Sequence, residues 1–100
     1  MSKDKVKNIA IEYARFLRAS EFPFQSVYLY GSFAKGNPHK WSDIDVAVIS
    51  KAFSGDDWLE NRFRLWKLRR GIDTRIEPLG MSPEEFDEES TPMAYEIKKH

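Results

Sequence analysis

The chain has 100 residues, 41% of them hydrophobic and 14% aromatic, and its 16 basic and 16 acidic side chains cancel. This length makes one small domain that buries roughly 60–70% of its unfolded surface, and the aromatic content excludes wholesale disorder. No apolar run approaches the ~20 residues that cross a bilayer, the absence of cysteine excludes disulfides and thiolate metal sites and fits the cytoplasm, and zero net charge argues against a sequence-blind coat on nucleic acid. The N-terminal MSKDKVKN is too charged for a signal peptide.

Residues 4–19 predict an amphipathic helix, with Val6, Ile9, Ala10, Tyr13, Phe16 and Leu17 on one face. Pro23 ends it, because the residue before a proline is pushed out of helical geometry. Val27-Tyr28-Leu29-Tyr30 reads as a short buried strand stopping at Gly31, and Phe33-Ala34-Lys35 as a single helical turn before Gly36, Asn37 and Pro38. A second strand is expected over 43–50 (DIDVAVIS) and a helix over 56–70, with Asp56 or Asp57 near its N-cap and Gly71 at its end. The spacing of Trp58, Leu59, Phe63 and Trp66 places them on the core side of that helix, with Leu65 as a further candidate and Arg62, Arg64, Lys67, Arg69 and Arg70 as a solvated face. Alternation of Ile72, Thr74 and Ile76 against Asp73, Arg75 and Glu77 predicts a half-buried third strand over 72–78. Ser82-Pro83-Glu84-Glu85 opens a helix, and a last short one is expected from Thr91 or Pro92 towards His100. The resulting class is α/β (α+β): a small mixed sheet of at least three strands flanked by helices, forming a single domain over 1–100.

The chemistry concentrates between Tyr30 and Asp45. Residues two apart on a strand share a face, so Asp43 and Asp45 project side by side. Two carboxylates that close repel unless a cation lies between them, and hard oxygen pairs are what Mg²⁺ takes alongside phosphates. An Asp-x-Asp alone is weak evidence, since two solvated acids on an edge strand would look the same. Gly31-Ser32 shifts that balance. Glycine straight after a buried strand lets the backbone approach a ligand, and Ser32 offers a hydroxyl and N–H groups to phosphate oxygens. Lys35 can reach the same phosphates, and Ser42 heads the acidic strand. A third carboxylate is needed where metals also activate an attacking hydroxyl. The third strand offers Asp73, the first choice, with Glu77 in reserve and Arg75 between them as a simple ion-pair partner for either.

The segment GSFAKG-NPHKW-SDIDVAVI resembles the nucleotide-binding signature of the DNA polymerase beta-like nucleotidyltransferase superfamily. Arg70-Gly71-Ile72-Asp73-Thr74-Arg75 resembles the strand that carries its third carboxylate. The short length and the SDID form resemble the minimal nucleotidyltransferase branch, whose small members act as antitoxins beside helical HEPN-type toxins. The resemblance covers about residues 27–78 and implies the polymerase beta-like fold. It implies Gly31, Ser32, Lys35 and Ser42 on the nucleotide, and Asp43, Asp45 and Asp73 (or Glu77) as catalytic acids holding two Mg²⁺ ions. The implied reaction moves a nucleoside monophosphate, AMP from ATP, to a hydroxyl such as a tyrosine of the HEPN-type partner. The alternative is a non-catalytic antitoxin that neutralises its partner by occlusion. A homodimer is compatible with Tyr95 and Ile97 as helix-face anchors; a membrane partner is not expected, and nucleic acid is disfavoured by the charge balance.

Trp41 stands beside the phosphate loop, where it can pack on a base or ribose. His39 and His100 are isolated, so zinc is not expected. Trp58, Phe63 and Trp66 next to the basic residues of their helix can stack bases in principle, although core positions are the commoner use of such spacing.

Overall fold

The computed structural model describes residues 3–31 and 44–88. Helix α1 (Lys3–Ala19) leads into strand β1 (Ser26–Tyr30), β2 (Ile44–Ile49), helix α2 (Trp58–Leu68), β3 (Ile76–Met81) and helix α3 (Pro83–Glu88). Short 3-10 turns follow β2 at Lys51–Phe53 and α2 at Arg69–Gly71. The sheet has order β1-β2-β3, with β1 antiparallel and β3 parallel to β2. The mixed sheet with flanking helices agrees with the fold class read from the sequence.

β2 is the central strand, and Ile44, Val46, Ala47, Val48 and Ile49 along it are buried. Its helix-facing side, Ile44, Val46 and Val48, packs with Ile76 against Val6, Tyr13 and Leu17 of α1 and Leu65 of α2. Alternation within α1 supplies that face, with the expected Ile9 and Ala10 packed at its margin. Among the described residues Tyr13 brings the one polar group of this cluster, and its hydroxyl donates to the Leu65 carbonyl at 2.7 Å, tying α1 to α2. The opposite side of the sheet carries a smaller cluster of Tyr30, Ala47, Ile49 and Met81, bordered by Leu79 and Phe86. Phe86 of α3 stacks on Tyr28, with ring centroids 5.1 Å apart. α3 starts as expected: Ser82 Oγ accepts from the Glu85 N–H, and a Glu85 carboxylate oxygen accepts from the Ser82 N–H, a reciprocal capping box.

Two expectations shift. The third strand runs over Ile76–Met81 rather than 72–78. Residues 73–75 form a turn instead, in which the Asp73 carboxylate accepts the Arg75 N–H at 2.8 Å. Pro78 sits inside the strand because Ile44 N–H bonds the Arg75 carbonyl and Ser50 N–H the Met81 carbonyl. That phase turns the odd-numbered peptide groups of β3 towards β2 and leaves the missing N–H of Pro78 on the open edge. The second correction concerns α2. It begins at Trp58, with Asp57 in the cap position but making no side-chain cap bond. Leu65 is buried, but Trp58, Leu59, Phe63 and Trp66 are exposed by 43%, 64%, 60% and 37%. α2 lies over the edge strand of a narrow sheet, so only its Leu65–Leu68 side finds core to pack on. The helical turn expected at 33–35 and the last helix after 91 lie outside the described residues. Among the described residues, no helix is long and apolar enough to cross a membrane.

Removing the Tyr13 hydroxyl with Tyr13→Phe should cost about 1 kcal/mol of folding stability in a urea titration, since it leaves a buried carbonyl short of a partner. The hydrogen bonds and charge of Arg75 hold the Asp73 carboxyl below its ordinary pKa. A depressed acid stabilises the fold above its unfolded pKa and loses that contribution as pH falls through the folded value. The stability difference between wild type and Asp73→Asn should therefore be full at pH 6 and shrink towards pH 2.

Candidate functional site

The register fixes the site. Tyr30 lies opposite Asp45 in the antiparallel pair, and Asp45 lies beside Glu77 in the parallel pair. The three side chains form one row across the sheet, on the face away from α1 and α2, since the alternate residues Leu29, Val46 and Ile76 belong to the helix-side core. Strands of one sheet lie about 4.8 Å apart, so carboxylates on neighbouring strands can share a cation. Tyr30 is buried at one end of the row, Asp45 is half-buried and Glu77 is exposed at the β3 side. Burial, then the charges of Asp45 and Glu77, push the Tyr30 phenol up to about 12. The phenol stays protonated at neutral pH beside two carboxylates.

Gly31 follows directly and has a φ of +79°, a region that side chains other than glycine rarely adopt. A Cβ placed there would fall on the Asp45 carboxylate. Glycine at this position therefore serves two ends: it turns the chain out of β1, and it leaves room for the acid of the adjacent strand.

Of the residues expected to form the site, Gly31, Asp45, Asp73 and Glu77 fall among the described ones. Ser32, Lys35, Ser42 and Asp43 lie outside them, as do Trp41 and His39. Gly31 and Asp45 are brought together; the expected side-by-side projection of Asp43 and Asp45 lies outside the described residues. The two candidates for third acid are placed differently. Glu77 is the register partner of Asp45. Asp73 precedes β3 in the turn, and its carboxylate accepts from Arg75 Nε at 3.1 Å and from an Arg75 terminal nitrogen at 2.7 Å. Among the described residues no group of three His, Cys, Asp or Glu is arranged to hold a metal; Asp45 and Glu77 supply a pair. Their donor chemistry fits a hard divalent cation, because both are carboxylates in register on adjacent strands.

Tyr30 escaped notice as part of the acidic row. The signal was present in the strand alternation: with Asp45 facing away from the helices and Tyr30 directly before the glycine, a hairpin-like pairing of β1 and β2 places them on one face.

The geometry can be set beside known proteins. The pattern of the nucleotidyltransferase domain family matches residues 6–97. The chain is similar to the protein adenylyltransferase MntA of Shewanella oneidensis, 33% identical over 63 residues, which are 63% of this chain and 41% of that protein. It thus spans about two fifths of the length of that curated relative. The fold is similar to the 1.40 Å crystal structure of a protein from Sulfolobus solfataricus assigned as a nucleotidyltransferase, with a TM-score of 0.68 over 86% of this chain and 75% of that one, at 22% identity. With nearly its whole length matched, the chain belongs to the nucleotidyltransferase domain family.

Proposed function

We propose that the protein is a Mg²⁺-dependent adenylyltransferase that moves AMP from ATP to a hydroxyl on a protein acceptor. The observation that carries this reading is the adjacency of Asp45 and Glu77 in register, with Gly31 held against Asp45. The similarity to a protein adenylyltransferase supports the nucleotide and the acceptor class. A helical HEPN-type protein whose tyrosine receives the AMP, in a cytoplasmic toxin–antitoxin pair, is the acceptor that the resemblance implies.

In this reading Gly31 and Ser32 receive the triphosphate on backbone N–H groups and the serine hydroxyl, and Lys35 and Ser42 flank it. Asp43 and Asp45 hold the metal ions, with Glu77 as the third carboxylate. Bound Mg²⁺ would neutralise the triphosphate and lower the pKa of the acceptor hydroxyl. Glu77 is exposed at the β3 side, where it can take the acceptor's proton as the oxygen bonds to the α-phosphorus and pyrophosphate leaves. Glu77 takes this role over Asp73, because Arg75 engages the Asp73 carboxylate through three donors. Asp73 then serves to close the turn that aims β3. Tyr30 walls the row on the β1 side, keeping a neutral hydroxyl where a third charge would add repulsion.

Incubation with α-labelled ATP and Mg²⁺ in source-cell lysate tests this. Wild type should label a macromolecule; Asp45→Asn and Glu77→Gln should each lower labelling by about 100-fold or more, a loss typical of charge-stabilising groups at a reacting centre. Asp73→Asn should stay within about threefold, well short of the loss seen when such a group is removed. Equal labelling by wild type and Asp45→Asn would instead favour a non-catalytic subunit that neutralises its partner by occlusion. Gly31→Ala should abolish labelling with Asp45 intact in sequence, because the added methyl displaces the carboxylate.

A further inference from the structure

The outer side of α2 and the edge of β3 that no described strand covers enclose an apolar groove of about 620 Å³ lined by Leu59, Phe63, Trp66, Pro78 and Leu79. Large side chains this exposed, lying together, are uncommon on a domain that works alone. The groove shares β3 with the acidic row: Pro78 is the next residue after Glu77. α2 runs back between two parallel strands, so its C-terminal end and the Arg69–Gly71 turn lie at the same end of the sheet as Asp45 and Glu77.

Charge identifies the occupant. Residues 58–71 carry Arg62, Arg64, Lys67, Arg69 and Arg70 against the single acid Glu60, in a chain whose charges cancel as a whole. Arg62 pairs with Glu85 at 3.6 Å; among the described residues the other four make no ion pair. Four of the cations sit on the groove's aromatics or the neighbouring one, with Lys67 over Phe63 at 4.9 Å, Arg69 and Arg70 over Trp66 at 4.0 Å and 5.8 Å, and Arg62 over Trp58 at 5.0 Å. One face of each ring is therefore already covered, which disfavours base stacking and leaves ring edges and aliphatic side chains as the contact surface. Pro78 puts no N–H on the β3 edge, so the groove does not invite an added strand. These features fit a helical or irregular protein segment with apolar anchors between Asp and Glu side chains.

Resting on the adenylyltransferase reading, we infer that this groove docks the protein acceptor through an acidic, apolar-anchored segment beside the modified hydroxyl, so that the acceptor approaches Glu77 from the β3 side. The test uses the full chain and a random copolymer of glutamate and tyrosine as probe, with a lysine–tyrosine copolymer and oligo(dT) as controls. Binding is read by anisotropy without nucleotide, and transfer by labelling from α-labelled ATP. The Glu–Tyr copolymer should bind at least about tenfold more tightly than the Lys–Tyr one, and Leu59→Ser/Phe63→Ser should weaken it by about tenfold or more, as loss of central anchors does. Both side chains are exposed, so melting of that variant should match wild type. Asp45→Asn should bind like wild type and transfer nothing. Equal binding of the two copolymers, or no effect of the double substitution, overturns the inference. So does tighter binding of oligo(dT) that the double substitution abolishes, a dimer in light scattering that it dissociates, or shielding of Trp66 from iodide before any probe is added. Copolymer binding without labelling by wild type leaves the groove standing and counts against the transfer reading.

Discussion

The pairing of Asp45 with Tyr30 on one side and Glu77 on the other is the constraint on which the rest of this structure depends. It sets two negative charges side by side, a destabilising arrangement that the remainder of the fold must hold. What holds it is the other face of the same strands. Ile44, Val46 and Ile76 are fully buried against α1 and α2, and a slip of one residue in β2 or β3 would drive the acids into that apolar layer and the aliphatics into solvent. Register is thus enforced by the core and expressed at the site. Gly31 completes the arrangement, because no other residue leaves the Asp45 carboxylate where the register puts it.

Much of this was legible in the residues. α1 could be read because Val6, Tyr13 and Leu17 recur at helical spacing, and β2 because an apolar run is interrupted only by its acids. That Gly31 and Asp45 belong to one site followed from the glycine-serine pair standing before the acidic strand and from the resemblance of the surrounding signature. The choice between Asp73 and Glu77 could not be read in the same way, because alternation puts both on one polar face if a strand runs through 72–78. Where the two acids lie turned on the Asp73 side chain capturing the Arg75 N–H, and on Pro78 falling in the one phase where an edge strand tolerates it. Neither is visible without knowing which strand is the edge.

The misreading of α2 has a related cause. Periodicity reports that a helix has an apolar face, not what that face meets. In a wider sheet the stripe of Leu59, Phe63 and Trp66 would be core. Here β3 is the last strand described, and the stripe overhangs it. The cations form the expected solvated face and also lie over the exposed rings, so one helix presents apolar surface and positive charge together, next to the strand that carries Glu77. Fold and function meet in β3: one face continues the acidic row, its other face joins the core, and its edge opens on the groove.

A catalytic role for the acidic row requires that the Asp45–Glu77 pair be built for a cation. Thermal melting of wild type, Asp45→Asn and Glu77→Gln in EDTA and in millimolar Mg²⁺ addresses this without an acceptor. The prediction is that both variants melt above wild type in EDTA, because repulsion is relieved, and that Mg²⁺ raises wild type alone, as binding to the native state requires. Wild type unmoved by Mg²⁺, with both variants less stable than it in EDTA, would mean that the acids are structural and would contradict the account.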